Sequence, residues 1–381
     1  MAVRSVFIGH AFRPVDISAF RSARKGVSLS RPTLDEFALA NKLLGAFPGS
    51  QMVKFGKNGS DATAAAVRLA RSATGRDLVL RSAEAPFLGV HDWFIGSTAM
   101  DAGVPERVQD LTKVFQYGNL KDLEDKLIAA RGSVAAVILE PLGQAEPSSE
   151  YLAEVKRLVH EHGTLLVFDE VVSGFRLTAG GYQSIAGVTP DLTAVGKALA
   201  NGYPLSALIG AREIMELGGV LHDRRRTFIM SSTYGPERSA IGAANAAMNY
   251  LSRGNPYQRL ERNVRQLTSG LEQIFAEAGL AENLEVTGAP GSPNVSFKDS
   301  DGGQSLSLKT IFMEEMAVRG ILLGAHLFSP SLAHGPREVK VTLAAAKASV
   351  ASFAPVVRGK TDEQLKSELP FTVKPVFRPF N

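Results

Sequence analysis

The chain has no cysteine, only one tryptophan (Trp93) and no apolar run near the ~18 residues that a membrane helix needs. Without cysteine there is no disulfide framework, no zinc–thiolate centre and no thiol nucleophile. Charge is sparse and balanced: 42 Lys and Arg against 38 Asp and Glu leave a net +4. That excess is too small to mark a nucleic-acid or membrane partner and mildly favours anionic small molecules. The opening MAVRSVFIGHAFRP lacks a signal-peptide core and cleavage pattern, so a cytoplasmic location is expected. There is no internal repeat and no low-complexity segment.

What is present is ample core material: 381 residues, 45% apolar, a length that suggests two domains. Helical spacing predicts a helix at Leu34–Leu44, with Leu34, Phe37, Leu39, Leu43 and Leu44 facing a core. Further helices are expected at Asp61–Ser72, Leu120–Arg131, Glu150–His162 and Glu237–Leu251. Short apolar runs read as strands at Asp77–Arg81, Ser133–Leu139, Leu165–Phe168 and Leu192–Val195. Strands alternating with helices imply an α/β fold with a mainly parallel sheet and right-handed crossovers. After Gly254-Asn255-Pro256 the character changes. A long helix, Tyr257–Ala278, precedes strands near Leu284–Thr287 and Asn294–Phe297, then a helix ending at Gly320. The last twenty or so residues, rich in Pro and Lys, read as peripheral.

Two strand ends carry chemistry. Asp169 and Glu170 follow Leu165–Phe168, at the end where open α/β sheets place their ligands, and Lys197 follows Leu192–Val195. An acid and an amine so placed suit a cofactor that needs both; pyridoxal phosphate pairs its ring nitrogen with an anion and its aldehyde with a lysine. Asn58-Gly59-Ser60 leads into a helix whose first turn offers free N–H groups to a dianionic phosphate, although a capped helix without ligand has the same signature. His160 and His162, two apart near a helix end, point to different faces, so no metal site is expected. Arg224, Arg225 and Arg226 form the one basic run, a solvated loop or a phosphate or carboxylate contact.

The segments DEVVSGFR and GVTPDLTAVGKALANGYPLSALIG resemble the lysine region of class III (subgroup II) aminotransferases of pyridoxal-phosphate fold type I, in the glutamate-1-semialdehyde aminomutase-like branch. The resemblance runs from about Gly9 to about Ala346. It implies an N-terminal segment (1–44), a large cofactor-binding domain (45–254) and a small α+β C-terminal domain (255–381). It also implies that Lys197 is the Schiff-base lysine, which then acts as general base, and that Asp169 holds the ring nitrogen. Asn58, Gly59 and Ser60 would form the phosphate cup, with Asn58 where the family has Ser and Asp61 where it has Glu. Phe87 would lie on one face of the ring and Val171 on the other; the next residue, usually His, is Leu88. Thr233, in Ser-Thr-Tyr-Gly, would reach the phosphate of a neighbouring subunit, which implies a homodimer with shared active sites. Glu140 (in ILEPLG), His91 and Trp93 are candidates for substrate contact.

Gly9-His10-Ala11 is similar to a family stretch that normally follows a helix and small antiparallel strands, so a segment covering part of the active-site entrance is expected to be missing. The loop Ile95–Pro105 is shorter than the gating loop of the aminomutases, which favours a transaminase that releases its product. The implied reaction moves an amino group from a donor such as glutamate to an aldehyde or keto acceptor. A sugar or sugar acid of the 8-amino-nonulosonic or octulosonic type is the acceptor the resemblance suggests. Glutamate-1-semialdehyde 2,1-aminomutase is the first alternative, and an inactive binding protein retaining the fold is the second.

Overall fold

A computed structural model describes residues 4–85, 87–143, 147–289, 291–324 and 327–374. They form two units that divide between Asn255 and Pro256. The first is built on a seven-stranded sheet: β1 (Met52–Gly56), β2 (Leu78–Ser82), β3 (Thr112–Phe115), β4 (Val134–Leu139), β5 (Leu165–Glu170), β6 (Leu192–Val195) and β7 (Ser206–Gly210). Their order across the sheet is β1-β7-β6-β5-β4-β2-β3. Only β7 runs against the others. All six residues of β4 are buried, as a central parallel strand covered on both faces requires. This topology brings the C-terminal ends of six strands and the N-terminal end of β7 to one edge.

Helix Gly59–Thr74 lies on the sheet through Ala62, Ala65, Ala66 and Leu69, small residues that permit close approach. It starts two residues earlier than its composition suggests because Asn58 caps it. Asn58 Oδ1 accepts from Asp61 N at 3.1 Å, and Asp61 Oδ2 accepts from Lys57 N at 2.8 Å and Asn58 N at 3.1 Å. His160 Nε2 lies 2.9 Å from Asp191 Oδ2, the same oxygen that accepts from Leu166 N at 2.7 Å and pins the start of β5.

Helix Leu34–Ala46 corrects the expected core face. Leu39 and Leu43 are buried, but Leu34 is 88% exposed and Phe37 65% exposed. A helix not expected from the sequence, Arg13–Ala23, packs on Arg238–Leu251, where Ser18 Oγ donates to Gly242 O at 2.7 Å. A Cβ on Gly242 would stand 2.3 Å from Ser22 Oγ, so only glycine admits this approach. Residues 4–44 fall within the first unit.

The second unit pairs a hairpin, β8 (Leu284–Ala289) with β9 (Ser292–Phe297), with helices Pro256–Glu277, Leu306–Val318, Pro336–Val357 and Asp362–Ser367. Its core is built from Leu271, Phe275, Phe312, Met316, Ala346 and Phe353. By length and composition Pro336–Val357 would pass for a membrane span, with a mean hydropathy of 1.2. It instead buries Val339, Ala346, Val350 and Phe353 in that core. The tail is less peripheral than its composition suggests. Asp362 Oδ1 accepts from Ser305 Oγ at 2.6 Å and Ser307 N at 2.9 Å, and Leu365 is buried; residues 375–381 lie outside the described residues.

Candidate active site

The shared strand edge opens on a cavity of about 490 Å³. Leu139 pairs with Phe168, so Glu140 leaves β4 level with Asp169 on β5. Glu170 pairs with Val195, so Lys197 leaves β6 two residues beyond. Because β7 is reversed, its entry segment Tyr203-Pro204-Leu205 closes the same edge. Eight of the expected residues line this one cavity: Asn58, Gly59, Ser60, Phe87, Glu140, Asp169, Val171 and Lys197.

Adjacent strand residues face opposite ways, and this separates the two acids. Asp169 lines the cavity, its Oδ1 accepting from Val171 N at 2.9 Å. Burial pushes its carboxyl up to about 7, against the pull of that N–H and of Lys197. Glu140 is pushed up to about 8, first by burial and then by Asp169. Glu170 is structural. It accepts from Ser173 Oγ at 2.6 Å and from Tyr182 N and Gln183 N, both at 2.8 Å, which ties β5 to the first turn of helix Gly181–Ala186.

Lys197 opens a short 3-10 turn with φ at +44°, a left-handed conformation that few side-chain-bearing residues adopt. Burial lowers the pKa of its amine, while Asp169 and Glu140 oppose the shift. Asn201, at φ +47°, ends the turn. Its Oδ1 accepts from Ile8 N at 2.8 Å and its Nδ2 donates to Gly9 O at 3.0 Å, so the Gly9-His10-Ala11 stretch docks on the lysine turn.

At the other end of the cavity, the first-turn N–H groups of Gly59 and Ser60 have no intrahelical acceptor. A Cβ on Gly59 would lie 2.7 Å from Val171 Cγ1 and 2.9 Å from Cγ2, so this glycine is what lets the turn sit against Val171. Val90 N donates to Ser60 Oγ at 3.2 Å and Thr63 Oγ1 to Leu88 O at 2.6 Å, fastening the Phe87 segment to the same turn. Phe87 keeps 46% of its surface, and Leu88, where the family has His, is buried.

Three expected residues are elsewhere. Trp93 is buried in the apolar core of the first unit, edge-on to Phe94 at 5.9 Å, and is not a lining residue. His91 is exposed before the short helix Asp92–Ile95 and borders a separate hollow, because that helix turns it away from the lysine. Thr233 is exposed in a turn, its N donating to Ser231 Oγ at 3.3 Å, and it does not line this cavity. Others were missed. Lys57 lines the cavity and donates from Nζ to Pro204 O at 3.1 Å and Glu237 Oε2 at 3.3 Å. Arg176, the last residue of DEVVSGFR, is buried over the Phe7 ring at 5.1 Å, and burial lowers it to about 9. Its place in the motif was the available signal.

The family profile described as "Aminotransferase class-III" matches residues 3–324. A 3-aminobutyryl-CoA aminotransferase of Cloacimonas acidaminovorans is 31% identical over 84% of this chain and 75% of its own length. A glutamate-1-semialdehyde 2,1-aminomutase of Roseiflexus castenholzii is 33% identical over 93% of this chain and 85% of its own. Among solved structures, an omega-transaminase from Sphaerobacter thermophilus superposes with a TM-score of 0.81 at 26% identity, covering 91% of this chain and 85% of that one. A solved structure of a Sphingopyxis FumI protein, 26% identical with a TM-score of 0.84 over 94% of this chain and 85% of that one, is in its pyridoxal 5′-phosphate internal aldimine form. The lining here fits that cofactor: a buried acid and a half-buried amine at one end, open helix N–H groups at the other, and a glycine that lets the helix turn pack against Val171. The chain therefore belongs to the class III aminotransferases, as a pyridoxal 5′-phosphate-dependent transaminase.

Proposed function

We propose that this transaminase takes an amino group from a small donor of the glutamate type and delivers it to an aldehyde or ketone, working as a homodimer. The observation that carries this reading is the convergence of Lys197, Asp169 and Glu140 on the cavity that also holds the Gly59 turn. Bound there, the cofactor supplies an electron-withdrawing ring and a carbonyl carbon that exchanges amines. The Asp169 carboxylate accepts the hydrogen bond of the ring nitrogen and holds its proton. Gly59 and Ser60 present N–H groups and the Ser60 hydroxyl to the phosphate, Asn58 fixing the turn. Phe87 and Val171 flank the ring. Lys197 Nζ, whose pKa burial lowers, would take the proton from the amine-bearing carbon of the donor and deliver it to the carbon of the cofactor that keeps the amino group. Glu140 lies beside the substrate, where a carboxyl held near neutrality can accept or donate a hydrogen bond.

Exposed Leu34 and Phe37 on one helix face, with exposed Thr233, support a second copy of the chain as partner, Thr233 then reaching the neighbouring phosphate. The sugar or sugar-acid acceptor suggested by the motifs has no counterpart among the relatives named above. An acceptor screen with glutamate therefore spans short keto acids, acyl-thioester carbonyls and sugar carbonyls, with 2-oxoglutarate release as readout. Release that requires an added acceptor is the expected result. The aminomutase relative favours a second reading, in which glutamate 1-semialdehyde alone is converted to 5-aminolevulinate; turnover of that single substrate without an acceptor would replace the transaminase reading. The intact Lys197–Asp169 arrangement argues against an inactive binding protein.

A further inference from the structure

The basic run Arg224–Arg226 takes no part in the site above. It borders a cleft of about 1060 Å³ at the opposite edge of the sheet, beside Leu165 at the start of β5 and the end of helix Gly59–Thr74. Two more arginines reach the same cleft from that helix: Arg68 and Arg71, three residues apart and so on one face. Among the described residues none of the five makes an ion pair within 4 Å. One carboxylate, Glu213, shares the lining; Asp77 acts on Arg71 from outside it, and Asp223 flanks the run.

The cleft is built rather than merely basic. Arg68 Nη1 donates to Phe228 O at 2.7 Å and Ile229 O at 3.2 Å, and Thr227 Oγ1 donates to Ser72 Oγ at 2.6 Å, which fastens the arginine loop to the helix. Arg71 Nε donates to Asp77 O at 2.8 Å, while its Nη2 is buried and has no acceptor among the described residues. Part of the Arg71 charge answers the negative end of the helix dipole. Arg68 and the three loop arginines remain, and their four guanidinium charges exceed what Glu213 and Asp223 balance. Guanidinium groups bind phosphate oxygens in pairs, and several phosphates are needed to engage several arginines.

We propose that this cleft binds a small ligand carrying two or more linked phosphate groups, such as a nucleoside di- or triphosphate, at a site separate from the catalytic cavity. The test uses cofactor-loaded enzyme, in which the catalytic phosphate cup is filled, and calorimetric titration with tripolyphosphate, ATP and orthophosphate. Tripolyphosphate and ATP are expected to bind at least about tenfold more tightly than orthophosphate. Arg225→Ser/Arg226→Ser is expected to weaken both by about tenfold or more, with the transaminase rate in the absence of polyphosphate unchanged, while exposed Arg107→Ser leaves binding as it was. Equal affinity for orthophosphate, or polyphosphate binding that survives Arg225→Ser/Arg226→Ser, would overturn the proposal. So would tighter binding of a single-stranded oligonucleotide than of ATP, which would assign the cleft to nucleic acid, or loss of dimer in the double variant, which would assign it to a second copy.

Discussion

Asn201 Oδ1 accepts a hydrogen bond from Ile8 N at 2.8 Å, joining residues 193 positions apart. The same side chain holds Gly9 O, and its own left-handed φ ends the turn begun by Lys197. Asn201→Ala removes both bonds and puts a residue ill suited to positive φ at this point. We expect a loss of about 2–4 kcal/mol in unfolding free energy and a clear loss of cofactor affinity. Asn201→Gly, which keeps the backbone conformation, should recover part of the stability. Chemical denaturation of the three proteins checks this.

Gly59→Ala tests the contact between the phosphate turn and the ring-flanking residue. Its Cβ meets both methyls of Val171, so the turn must move. Cofactor affinity is expected to fall about tenfold or more with little change in fold. Gly59→Ala/Val171→Ala, which removes those methyls, should bind more tightly than Gly59→Ala alone.

Asp169 sets a pH signature for the cofactor-free protein. Its folded pKa of about 7 stands above the ordinary 3.8 of an unfolded chain, so between those values the folded form keeps a proton that the unfolded chain has lost. Stability contributed by this group is therefore present at low pH and lost as pH rises through about 7. Asp169→Asn lacks the ionisation. Thermal unfolding of the two cofactor-free proteins should agree near pH 4 and separate in favour of the variant by pH 8, by on the order of a few kcal/mol. The loaded variant should lose about 10²-fold or more in transamination.

The mainly parallel sheet and its cavity-lining edge were legible because short apolar runs end in chemically distinctive residues: Asp169 after Phe168, Glu140 after Leu139, Lys197 after Gly196. Helix faces were less so. Leu34 and Phe37, three apart, and Leu39 and Leu43, four apart, both keep helical spacing, and periodicity does not separate a face turned to the core from one turned outward. Trp93 and His91 share a motif with Phe87, but the short helix Asp92–Ile95 rotates them off the cavity, a local turn that spacing does not encode. Helix Arg13–Ala23 was hidden by its many polar residues; it buries Val15 and Ala19 and is fastened by Ser18 to Gly242 O and by Asp16 to the Tyr203 hydroxyl.

Those exposed side chains give the dimer a direct test. Light scattering of the wild type is expected to give twice the monomer mass, and Phe37→Glu/Leu34→Glu to shift it toward the monomer. If the neighbour's Thr233 completes the phosphate site, the monomer should also bind cofactor more weakly, and Thr233→Val should weaken binding without changing mass.

The amine that the cofactor engages is expected to be Lys197 Nζ. Protein loaded with pyridoxal 5′-phosphate, reduced with borohydride, digested and mapped by mass spectrometry should carry the pyridoxyl group on Lys197 alone. Labelling of Lys57 in its place, or no labelled peptide from coloured protein, would contradict it.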